Sequence, residues 1–209
     1  MTDAMADLLT ADAVAAAPVL PRGFYQRPTL VVARGLLGKV LVRSTPEGTV
    51  AVGITEVEAY LGVDDPACHT FGGRRTPRTE TMWGEAGFAY VYLIYGLHSC
   101  LNVVTVGEGE PEAVLVRGGR PVLGAALIRQ RRGPRVAGPA LTDGPGKLCQ
   151  ALALTTAEDG TDLCDVTSGL VIRDAGFRVV PGSVEQLPRV GVGYAGEAAG
   201  WPLRLRLPR

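Results

Sequence analysis

Two periods organise the apolar positions of this chain. Over residues 28–38, Leu30, Val31, Ala33, Leu36 and Leu37 recur at helical spacing, with Thr29 available as an N-cap and Gly38 as a stop. Residues 39–43 and 50–60 are instead apolar at strand spacing, and Pro46, Glu47 and Gly48 supply the turn between them. Residues 88–105 read as two strands with Gly96 as the sole breaker, which predicts a hairpin bending near Tyr95-Gly96. A further apolar strand follows at 113–118, helices are predicted over 121–132 and 147–154, and short strands near 169–173, 189–194 and 202–207. Residues 61–80 have no period and are rich in Gly, Pro, Thr and Arg; a loop of that length inside a compact domain is usually functional. Residues 1–21 are alanine-rich, end in Pro18 and Pro21, and read as a flexible N-terminal tail. Strands and helices are interspersed without a regular βαβ alternation, and there is neither an internal repeat nor a linker. The expectation is one mixed α+β domain over residues 22–209, built around a curved, mostly antiparallel sheet from which the hairpin protrudes.

Composition changes this picture little. A length of 209 residues suits one substantial domain, and a hydrophobic fraction of 46% argues against disorder. The formal net charge is zero, so total charge gives no support to nucleic-acid binding. The distribution of charge says more. Lys39 and Lys147 are the only lysines, while arginines cluster at Arg74, Arg75 and Arg78, at Arg129, Arg131, Arg132 and Arg135, and at Arg204, Arg206 and Arg209. Such clusters fit either solvated faces or bidentate phosphate contacts. Cys68, Cys100, Cys149 and Cys164 are widely spaced, with no Cys-x-x-Cys pair, and only His69 and His98 could supplement them. No metal site, disulfide framework or cofactor is expected from that spacing. The N-terminus carries Asp3, Asp7 and Asp12 and lacks the basic start of a signal peptide, and no apolar run has the length of a membrane span. The expected setting is cytoplasmic, with no membrane partner.

Candidate chemistry concentrates in two segments. On a strand of period two, Ile54, Glu56, Glu58 and Tyr60 share one face, and Thr55, Val57 and Ala59 share the other. The second face suits a core. The first is either a solvated polar face or a carboxylate general base beside an aromatic platform, since a carboxylate whose pKa is raised by burial can deprotonate water. His69 follows in the irregular loop, trailed by Phe71, two glycines and the arginines Arg74, Arg75 and Arg78; that combination favours a binding loop with arginines on phosphate. In the hairpin, Tyr90 and Tyr92 face one side and Tyr95 sits at the tip. A tip tyrosine either folds back as packing or serves as a wedge that fills the space of an extruded nucleotide. Two tyrosines could sandwich a planar base, and no recognition helix of a sequence-specific reader is visible.

With Glu56-Val57-Glu58-Ala59-Tyr60-Leu61-Gly62, His69, Gly73 through Arg78, Met82, Tyr90 through Gly96, Cys100-Leu101-Asn102-Val103, Val114 through Arg117, Gly144 through Leu152 and Arg189 through Gly193 in order, the chain resembles the alkyladenine (3-methyladenine) DNA glycosylase family over roughly residues 24–207. The resemblance implies a monofunctional, metal-free DNA repair enzyme that takes a damaged purine out of duplex DNA and hydrolyses its N-glycosidic bond. It implies that Glu58 is the general base, that Arg117 helps to hold the attacking water, and that Tyr60 and Tyr92 stack on the base. His69 would contact the base opposite them, Asn102 would disfavour the guanine 2-amino group, and Tyr95 would intercalate. Arg74, Arg75 and Arg78 would hold phosphates, and a monomer is expected on the duplex. Phe71, Thr79 and Trp83 depart from the family's usual residues and affect the expected substrate range and phosphate contacts. Neither Lys39 nor Lys147 lies in these segments, so no lyase amine is expected.

Overall fold

A computed structural model describes residues 10–180 and 182–208. Arg209 and residues 1–9, with Asp3 and Asp7, lie outside the described residues. Among the described residues eight strands form one sheet: β1 Val40–Thr45, β2 Gly48–Tyr60, β3 Ala89–Ile94, β4 His98–Gly107, β5 Glu110–Leu123, β6 Leu170–Arg173, β7 Glu185–Leu187 and β8 Arg204–Arg206. Five α-helices of the described residues accompany them: α1 Ala11–Ala16, α2 Arg22–Tyr25, α3 Thr29–Leu36, α4 Ala125–Arg132 and α5 Pro145–Ala151. The fold is mixed α+β in one domain, and the described strands pair antiparallel, in the order β3-β4-β5-β2-β1-β6. The central strand β2 is 13 residues long. One of its edges pairs with β5 along most of its length; the other pairs first with β1 and then, from Glu56 to Glu58, with β8. β7 extends the sheet beyond β8.

The core lies between the sheet and helices α3 and α5, where Val32, Ala33 and Leu36 of α3 and Leu148 and Leu152 meet Val57, Leu101 and Val116. Burying each such side chain contributes about 1.5–3 kcal/mol. Residues 10–20 of the expected tail are docked against the sheet. Thr10 caps α1 by accepting the Ala13 N–H, Val14 is buried with Val40, Val42 and Ala51, and the Leu20 N–H bonds to the Ile172 carbonyl.

Several elements differ from the sequence-based expectation. Thr29 is the first helical residue of α3 rather than its cap; its hydroxyl lies 2.7 Å from that of Thr105 and donates to Glu112 Oε2 at 2.5 Å. The helix expected over 121–132 starts only at Ala125, because β5 runs on to Leu123. Pro121 is accommodated where the β2–β5 register shifts, and Gly124, at φ 72°, turns the chain from strand to helix. No strand forms at 189–194. The Val190 N–H is spent on a side chain and Gly191 has φ 77°, so this segment leaves the ladder and enters a 3₁₀ run at Gly193–Gly200, while the strand itself lies earlier, at Glu185–Leu187.

The largest correction concerns the faces of β2. Ile54 is not on the face of Glu56 and Glu58; it is buried in the core with Val57 and Ala59. The register against β5 slips by one at Thr55 and returns at Arg117. One inserted residue inverts the alternation downstream of it, which turns Glu56 and Glu58 away from the core into which Ile54 points.

Candidate active site

Glu58 sits mid-sheet on β2 and is 0% exposed, so the solvated-face reading of the two glutamates does not hold for it. Its Oε1 accepts the Val190 N–H at 2.9 Å, and its Oε2 accepts the Tyr60 hydroxyl at 3.0 Å. The Arg117 Nε stands 3.6 Å from Oε1. Burial pushes the Glu58 pKa above its ordinary value; the Arg117 charge, the Val190 and Tyr60 hydrogen bonds and the Arg204 charge oppose this without cancelling it. The Tyr60 phenol is itself held above its ordinary pKa, by burial first and then by the neighbouring Glu58 charge, so it remains a donor.

Four of the expected base-contacting residues converge. Tyr60, His69, Tyr92 and Asn102 line one cleft with Cys68, Met82, Tyr90 and Tyr194. The His69 ring meets Tyr92 edge-on, with centroids 4.6 Å apart, and its Nδ1 lies 2.9 Å from the Tyr90 hydroxyl. The Asn102 amide donates to the Tyr90 carbonyl at 3.2 Å, which fixes it from the hairpin strand. The cleft is narrow, with a free volume of about 40 Å³. Glu58 does not line this cleft; it lies behind Tyr60 and is joined to it through the phenol.

The remaining candidates surround this centre. The hairpin tip carries Tyr95, which is 85% exposed, between Leu93 and Leu97, both also exposed. Tyr95 and Gly96 have φ of 54° and 68°, and the Leu97 N–H closes the turn on the Ile94 carbonyl, the pattern of a tight primed turn. A left-handed non-glycine residue costs roughly 1–2 kcal/mol, so the exposed ring is held at a conformational cost. Arg74 and Arg78 line a groove of about 370 Å³ that shares Cys68, His69 and Tyr194 with the cleft, and the Arg78 guanidinium sits 4.9 Å from the Tyr92 ring centre. Arg75 is not part of that groove; its guanidinium pairs with Glu80 at 3.0 and 2.5 Å and lies over Trp83. Phe71 lines the groove and is half exposed.

His69 is neutral at ordinary pH. Burial, and then the Arg78 and Arg74 charges, lower its pKa to about 4. An uncharged imidazole can hydrogen-bond a base without repelling a cationic one. We expect the His69 ring resonances to titrate near pH 4 in an NMR pH series; a midpoint near the ordinary value of about 6.5 would contradict the burial argument.

Three features of the site escape sequence reasoning. Asp65 and Arg189, both buried, form a bidentate pair, with Arg189 Nη2 2.8 Å from Asp65 Oδ1 and a second, shorter contact from Nη1 to Oδ2. That guanidinium lies 4.8 Å from the Tyr60 ring centre and also donates to the Ala59 carbonyl, so it braces the tyrosine. Tyr194, 71% exposed, forms a wall of both cleft and groove, with its hydroxyl on the Ala67 carbonyl. Glu56 reaches both Arg117 and Arg204. These contacts join residues more than 80 positions apart in some cases, and local periodicity carries no trace of them.

A sequence model of the methylpurine-DNA glycosylase (MPG) family matches residues 23–209. Among individual proteins, the chain is 49% identical to one from Methanocella arvoryzae over 90% of this chain and 91% of the relative. It is 46% identical to one from Bdellovibrio bacteriovorus, over 90% and 95%, and 51% identical to one from Myxococcus xanthus, over 89% and 88%. All three relatives are provisionally named 3-methyladenine DNA glycosylases.

Proposed function

The chain belongs to the methylpurine-DNA glycosylase family, and from that premise we propose that it extrudes a damaged purine from duplex DNA and hydrolyses its N-glycosidic bond with a water activated by Glu58. The observation that carries this reading is the buried, pKa-raised Glu58 hydrogen-bonded to a tyrosine that walls an aromatic cleft. Carboxylate and arginine together suit the task. Glu58 accepts a proton from the water and stabilises the oxocarbenium-like sugar by its charge, while Arg117 orients the water. Tyr60 and Tyr92 stack on the base, with roughly 1–3 kcal/mol gained per stacked base. His69 hydrogen-bonds the base edge, and Asn102 disfavours a 2-amino group.

Tyr95 fills the space that the purine leaves, and Arg74 and Arg78, with Arg75 further out, take phosphates. The enzyme acts as a monomer, in one domain over residues 22–209, on cytoplasmic DNA. It forms no Schiff base, because Lys39 is paired with Asp174 and Lys147 with Asp143, and neither lines the cleft.

The test is release of free base from duplexes carrying a methylated purine, hypoxanthine or ethenoadenine, compared with release from the free nucleosides. The reading predicts release from duplex only, with strand breaks appearing only after alkali. Efficient cleavage of nucleosides, or a covalent adduct trapped by borohydride, would contradict it. Tyr95→Ala should lower single-turnover release on the order of tenfold or more while leaving non-specific duplex binding nearly unchanged. Equal loss of both would reduce Tyr95 to a packing role.

A further inference from the structure

We propose that Glu56 is a positioning residue that holds Arg117 beside Glu58 while keeping the two from closing into a direct hydrogen-bonded ion pair. The inference rests on the reading of Glu58 as the base. The single Nε proton of Arg117 is directed at Glu56 Oε1, 3.1 Å away, and the Nε is 3.6 Å from Glu58 Oε1, beyond hydrogen-bond reach. The same Glu56 oxygen accepts from Arg204 Nη1 at 2.9 Å, so it is anchored from the neighbouring strand β8. Glu58 is left with two neutral donors, the Val190 amide and the Tyr60 phenol.

Backbone and burial both favour this division of labour. Glu56 is only 8% exposed, and a second buried carboxylate on this strand is tolerated only where cations compensate it. Two offset register shifts, at Thr55 on β2 and at Arg117 on β5, bring the second carboxylate and the arginine together beside the first. Such irregularities re-aim side chains. A carboxylate bonded directly to arginine commonly has its pKa lowered by about 1–3 units, which would make Glu58 a poor base. With the Nε–H engaged by Glu56, the guanidinium keeps its field at Glu58 and burial still dominates there.

The other groups facing Glu58 are Tyr60 on its own strand, Arg204 on β8, Arg189 before the 3₁₀ run and Cys100 on β4. Arg120, Asp143 and Arg206 line a cleft together with Glu56. Glu56→Gln keeps the volume of the side chain and removes its charge, and it takes from Arg204 its carboxylate partner as well. Freed from the carboxylate, the Arg117 Nε–H turns to Glu58, and a like charge next to Glu58 disappears. Both changes lower the Glu58 pKa.

The experiment is single-turnover release of a methylated purine from duplex DNA as a function of pH, with wild type, Glu56→Gln and Glu58→Gln in parallel, and lesion-duplex binding measured separately. The proposal predicts that Glu56→Gln moves the acid limb down by about one pH unit. It also predicts a plateau lowered on the order of tenfold, a fraction of the ~10²–10⁴ that a positioned base contributes, with unchanged binding. A wild-type plateau and limb in Glu56→Gln, or a lower plateau with an unmoved limb, would overturn it. If wild type released no base, or Glu58→Gln released it normally, the reading of Glu58 itself would fail instead. Should Glu56→Gln not fold, Glu56→Asp keeps the charge but withdraws the carboxylate from the Arg117 Nε, 3.1 Å away; its acid limb must then move down, and an unmoved limb overturns the proposal.

Discussion

Glutamine in place of Glu58 is expected to reduce base release by at least ~10²–10⁴-fold, the range a positioned general base contributes, and in practice to abolish it. Glutamine fills the same volume and its oxygen can still accept the Val190 N–H or the Tyr60 hydroxyl. It cannot take a proton from water, and it brings no negative charge to an oxocarbenium-like sugar. The cleft formed by Tyr60, His69, Tyr92 and Asn102 is untouched, so a lesion-bearing duplex should bind nearly as before. Removing a buried charge that burial already disfavours should leave thermal stability equal or higher. Loss of binding in step with loss of release would instead mean that Glu58 shapes the cleft.

Asp65→Ala is expected to lower the unfolding free energy by about 3–5 kcal/mol, the usual cost of breaking a buried ion pair from one side. Both side chains of the pair are fully inaccessible, so Arg189 would keep a buried charge without its partner. The substitution also strands the Leu61 and Ala67 amides, which donate to Asp65 at 3.1 and 3.0 Å. Urea titration gives the loss directly. Replacing both residues, Asp65→Ala with Arg189→Leu, should cost less than the sum of the single changes, because the double variant leaves no unpaired charge. Simple additivity would show that the pair is energetically idle. The pair also gives the fold a pH dependence. Burial alone would raise the Asp65 pKa, but the Arg189 hydrogen bonds, the Leu61 and Ala67 amides and the Arg189 charge prevail and hold it below the ordinary value near 3.8. Its contribution is therefore present above that value and lost as pH falls through the lower, folded-state one.

Where the chain's own order carries the information, sequence reading reached far. Glu58, Tyr60, Tyr92 and Asn102 lie on strands whose alternation is visible in the sequence, and the tyrosine hairpin is announced by Gly96 alone among apolar residues. The antiparallel α+β architecture follows from the same pattern. Reading failed where a single inserted residue changes the phase. Thr55 looks like any strand residue, yet the slip there moves Ile54 into the core, away from the glutamates. It failed also where a backbone group is claimed by a distant side chain. Arg189 to Tyr194 has the composition of a strand, but its geometry is set by Glu58 and Asp65, more than 120 residues earlier. The loop over 61–80 is recognisable as irregular and arginine-rich, whereas the division of its arginines is not: Glu80 takes Arg75, and Arg74 and Arg78 remain on the groove.

The most direct test of Glu58 as the base is the pH dependence of single-turnover release of a methylated purine from duplex DNA, followed from about pH 4 to about pH 8. A purine that is already cationic needs no protonation to leave, so the acid limb reports the enzyme's own base. The account predicts that release falls with decreasing pH through a midpoint above 4.5, the ordinary carboxylate value, and that Glu58→Gln has no such limb. A wild-type rate that stays level down to the lowest pH at which the protein remains folded would contradict it.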